Sequence, residues 1–128
     1  MTRKLLALAI VLATAVAFYA QGDKSVKVNG YLIDNMCAGA HKKDKDFAEW
    51  VKKHKTSCAL MPNCSGSGFG LVSEDGKFYK FDEAGSKSAH SLMESTEAQS
   101  GVLVEAEGTL EGDTLHVTKL SEVKPSKA

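Results

Sequence analysis

The chain has 128 residues, 43% of them hydrophobic and 25% charged, which is the composition of one ordinary globular domain and neither of a disordered tail nor of a fibre. Sixteen Lys and Arg against sixteen Asp and Glu leave no basic excess for phosphate backbones, so nucleic acid is excluded as an expected partner. Phosphate loops, serine elbows and paired-carboxylate motifs are absent, and the three cysteines carry what chemistry the chain advertises.

At the start, Arg3 and Lys4 precede the apolar run LLALAIVLATAVAFYA, which ends among small residues before polar Gln21-Gly22-Asp23-Lys24. This is a signal-peptide pattern over residues 1–20, and its apolar run falls short of the ~20 residues a spanning helix needs. Cleavage after Ala17 or Ala20 is expected, with no stable membrane anchor afterwards and a secreted or periplasmic product. That product, residues 21–128, reads as a single domain of net charge about −2 with 14 basic and 16 acidic residues. Its expected partner is a protein or small ligand, met as a monomer or weak oligomer. Outside the cytosol disulfides persist, so the cysteines have an oxidising context.

The first strand is predicted over residues 25–34, where Val26 and Val28 alternate with Lys27 and Asn29 and Tyr31-Leu32-Ile33 continue past a bulge or bend at Gly30. It delivers Asp34-Asn35-Met36-Cys37 at its end, where residues leave a sheet and a site can be built. The insertion that follows, residues 37–64, holds all three cysteines and two of the four histidines. Within it Phe47, Trp50, Val51 and His54 fall on one face of a helix predicted over 44–55, capped by Asp44 and closed by lysines suited to its dipole. Trp50 and Phe47 read as core rather than as a stacking platform. Pro62 should end helical structure, leaving 62–68 as a loop.

Beyond the insertion, residues 69–72 and 77–81 flank a turn at Asp75-Gly76 and form a hairpin. Ser86 or Ser88 then caps a second short helix with an apolar stripe of Ala89, Leu92 and Met93 and with His90 facing water. The last hairpin pairs 102–110 with 114–120 across Gly112-Asp113. These elements give a mainly β fold with two short helices: a small OB-like antiparallel barrel or curled five-stranded sheet, with the helical insertion after strand 1.

GYLIDNMC, a histidine a few residues later, further cysteines, a glycine-rich strand and the ending VLVEAEGTLEGDTLHV together resemble a family of small, uncharacterised, exported bacterial proteins with an OB-like β-barrel. The resemblance spans about residues 26–123 and implies fold and export, but no activity. The six-residue step from Cys58 to Cys64 is longer than the cysteine spacing of that family.

Two kinds of site remain open. A disulfide from Cys37 to Cys58 or to Cys64 would staple the insertion to the barrel and make the chain a non-enzymatic binding or interaction module. Alternatively Cys37-x3-His41 and His54-x3-Cys58 each present two donors one helical turn apart, and with Cys64 nearby they would suit zinc. Met36 and Met61 adjoin the cluster and would shift the preference towards copper, while the absence of C-x-x-C-H argues against haem. A thiol nucleophile lacks a residue placed to orient its histidine, and a redox-active thiol role would need a strained cystine. The lysines of residues 41–55 offer a local basic face, and Asp34 and Asp82 read as strand-end caps.

Overall fold

A computed structural model describes residues 25–124; the expected signal peptide at 1–20 lies outside the described residues. Five strands, β1 (Ser25–Asp34), β2 (Phe69–Val72), β3 (Phe78–Phe81), β4 (Leu103–Glu111) and β5 (Thr114–Glu122), close into a barrel in the order β1-β2-β3-β5-β4. The expected OB-like barrel is therefore present, with one correction. β3 and β5 run parallel, pairing Lys80 with Thr114 and Phe81 with Leu115, while the other neighbours are antiparallel. Strictly alternating directions cannot close a ring of five, so one parallel contact is a topological requirement.

β1 divides its length between its two partners. It pairs with β4 from Ser25 to Tyr31 and with β2 from Tyr31 to Asp34. Gly30 stands where the partners change, and a Cβ there would lie 2.5 Å from the Val72 carbonyl oxygen, so the close approach needs a glycine. The β1–β4 pairing passes Gly30 without a shift of register, and the bulge falls instead on β5, where Thr118 is the extra residue opposite Glu107/Gly108 of β4. Both predicted hairpins form, and Gly112 takes φ 60° while no described non-glycine residue has positive φ, as in a II′ turn.

Helical structure is more divided than the predicted two helices. The insertion contains α1 (Asn35–His41), α2 (Phe47–Lys52), α3 (Thr56–Ala59) and α4 (Pro62–Ser65), and α5 (Glu83–Ser95) follows β3. The helix predicted over 44–55 begins three residues late and stops at Lys52. Asp44 does not cap it, because its carboxylate is engaged by His41 Nδ1 at 2.8 Å. Lys55 is extended and bridges to Ser100, which pulls the chain out of helical geometry before α3 begins. Pro62 opens α4 instead of ending a helix, since its missing N–H costs nothing in a first turn. α5 starts ahead of Ser86 because Asp82 caps it, accepting from Gly85 N at 2.9 Å. His90 is half-buried and stacks on Phe69 at 6.0 Å.

Two apolar clusters result. Leu32, Phe69, Leu71, Phe81, Val104 and Leu115 fill the barrel, joined by Ala89 and Met93 of α5. Ile33 and Val72 point the other way and pack with Ala38, Phe47 and Val51 of the insertion. The end of β1 and all of β2 are thus buried on both faces, and β1 ends at Asp34 beneath a helical cover.

Candidate functional site

Asp34 is the last residue of β1 and the N-cap of α1, and it is completely buried. Its Oδ2 accepts from Cys37 N at 2.9 Å, which places Cys37 in the first turn directly above the carboxylate. Its Oδ1 lies 3.0 Å from His54 Nε2, whose side chain is 7% exposed. Burial pushes the Asp34 pKa up, but the hydrogen bonds from His54 and from Cys37 outweigh it and hold the group below the usual carboxylate range. An ionised carboxylate accepts only, so His54 Nε2 carries the proton and donates.

Burial, then the Asp34 charge and the neighbouring Cys64, push the Cys37 thiol up to about 12. At neutral pH that thiol stays protonated, the reverse of an activated nucleophile. Among the described residues, Asp34, Cys37 and Cys64 form a set whose ligand atoms all lie within 4.8 Å of one another. Ser67, just past α4, links the two cysteine-bearing helices: its Oγ donates to the Cys64 carbonyl of α4 at 2.5 Å and accepts from Met36 N of α1 at 3.0 Å, and its own carbonyl accepts from Asn35 Nδ2 at 2.8 Å.

Of the residues proposed from spacing, Cys37 and Cys64 meet, while His41, His54 and Cys58 do not join their set. His54 is one hydrogen bond away, through Asp34. His41 stacks face to face on Trp50 at 3.8 Å, and Trp50 stacks on His54 at 4.9 Å, so the indole is held between the two imidazoles while Phe47 is core. Cys58 sits half-buried on α3, and the exposed Met36 and Met61 flank the two joined helices. All three cysteines are free thiols.

Asp34 is the member that spacing did not single out as a ligand. Its signal was the run Ile33-Asp34-Asn35-Met36-Cys37, in which an Asp three residues before a Cys can cap the turn that carries the thiol. Away from this centre, Lys52, Lys53 and Lys55 edge a cleft of about 670 Å³ with Leu60, Met93 and Ala98 in its wall. No family model, curated protein or solved structure matches this chain.

Proposed function

We propose that the chain is an exported, non-enzymatic binding module in which a Cys37–Cys64 cystine ties the helical insertion to the end of β1 and fixes the surface offered to a partner. One observation carries this reading: the two sulfurs lie within 4.8 Å on helices already hydrogen-bonded through Ser67. Bond formation needs an S–S distance of about 2.05 Å, so closure asks for a small movement of two one- to two-turn helices and none of the barrel. Cys58, on a separate helix, is then the unpaired thiol. The lysine-edged cleft beside α3 suits a partner protein or small ligand carrying negative charge. The high Cys37 pKa argues against a role as a thiolate nucleophile.

Purification from an oxidising compartment, followed by alkylation and peptide mapping, tests it. We expect one alkylated thiol, at Cys58, and a cross-linked pair of peptides holding Cys37 and Cys64. Three alkylated thiols, or Cys58 within the cross-link, would remove the staple.

A further inference from the structure

We infer that in its dithiol form the molecule binds one zinc ion between Asp34, Cys37 and Cys64, with His54 as the residue that holds the carboxylate in place. The inference uses the sulfurs of the proposed cystine in the opposite redox state and does not rest on the cystine forming.

Three donors of zinc-binding type converge at the foot of the insertion, all within 4.8 Å of one another. Around a tetrahedral zinc with bonds of about 2.0–2.3 Å, ligand atoms stand roughly 3.3–3.8 Å apart, so rotation of the half-buried cysteine side chains is the adjustment needed. The carboxylate cannot drift, since it is wholly buried, caps α1 and accepts from both Cys37 N and His54. Such outer hydrogen bonds orient ligands and are worth about ten- to a hundredfold in metal affinity.

The charge also balances. Asp34 is a fully buried anion with a histidine as its side-chain partner. Uptake of Zn²⁺ by one carboxylate and two thiols releases two protons to solvent and leaves a site of net charge −1, the same as before. Two thiolates with a carboxylate form a borderline donor set, which favours zinc over copper(I). Three protein ligands leave a fourth position for water or a small anion.

The test takes the chain reduced and stripped with chelator, then titrates it with zinc alone. Native mass spectrometry reads stoichiometry, alkylation reads thiol protection, and fluorescence of Trp50, the single tryptophan, reads the site through its stacking on His54. We expect one zinc per chain, protecting Cys37 and Cys64 but leaving Cys58 reactive. Cys64→Ser should weaken binding at least a hundredfold and Asp34→Asn, which keeps the cap, about tenfold or more. His54→Ala should cost about tenfold and His54→Gln, which retains an N–H donor, should recover most of it, whereas a directly ligating His54 would not be rescued by Gln. Cys58→Ser and His41→Ala should bind as the parent does.

Failure of the reduced, folded chain to take up zinc would overturn the inference and leave the cystine reading intact. Loss of binding in Cys58→Ser or His41→Ala would also overturn it, in favour of the set read from spacing. Conversely, three thiols in the exported protein together with one protected zinc would remove the staple and support the metal site.

Discussion

Asp34 joins every feature of the site, because one buried carboxylate ends β1, starts α1, fixes Cys37 and receives His54. Its sequence signature was ambiguous: strand-end aspartates cap turns everywhere, and here the cap is real but the second oxygen is committed to a histidine twenty positions away. Spacing found Cys37 and Cys64 because thiols are rare, yet it paired His41 with Cys37 on the strength of one helical turn. In the fold His41 turns to Asp44 and Trp50, contacts that i,i+4 counting does not register. Replacing Asp34 with Ala removes a cap and strands His54, at a cost of about 2–3 kcal/mol measurable by urea unfolding, and Asn should restore the cap portion. The thiol gives a second expectation, for reduced, metal-free protein. Its folded pKa is raised from 9.0 to about 12, so the proton is lost from the unfolded chain first, and stability declines as pH rises through that window. Asp34 has the opposite sign: its lowered pKa contributes stability at neutral pH that disappears on acidification. Unfolding midpoints across pH 8–11 should fall more steeply in the parent than in Cys37→Ala; equal slopes would contradict the assignment.

At the level of elements, the hairpins were legible and the insertion was legible only in part. Alternation over Val102, Val104 and Ala106 reports a face, and all three are buried in the barrel. The insertion has no such regularity, since its helices are set by tertiary demands: Lys55 bridging to Ser100, Asp44 taken by His41, and Pro62 starting a turn. What survived is the apolar face, because Phe47 and Val51 must cover Ile33 and Val72 whatever the helix length. This cover is a separate apolar cluster, which gives a prediction about local unfolding. Phe47→Ala should cost about 3–5 kcal/mol and expose the amides of α1 and α2 to hydrogen exchange well before those of β4 and β5. Simultaneous loss of protection in β4 and β5 would show the two clusters to be one cooperative unit.

For the whole molecule, strand count carried more information than strand direction. Five alternating segments and two tight turns pointed to a small barrel, and closure then forced the parallel β3–β5 contact that no hairpin pattern can announce. The barrel leaves its insertion as a loop whose ends, Cys37 and Cys64, return to one place. A cross-link there acts on the unfolded chain more than on the barrel: closing a loop of about 28 residues is worth about 3–4 kcal/mol by chain entropy, a sizeable share of a small domain's stability. In a Cys58→Ser background, which removes disulfide scrambling, oxidised protein should therefore exceed reduced protein by about 3 kcal/mol in extrapolated unfolding free energy. Its urea dependence should be slightly shallower, because the cross-linked unfolded chain is more compact and exposes less surface. Equal stability of the two forms would mean that closing the bond strains α1 and α4 by as much as the loop constraint contributes, and the insertion would then have to be held by Asp34, His54 and the apolar cover alone.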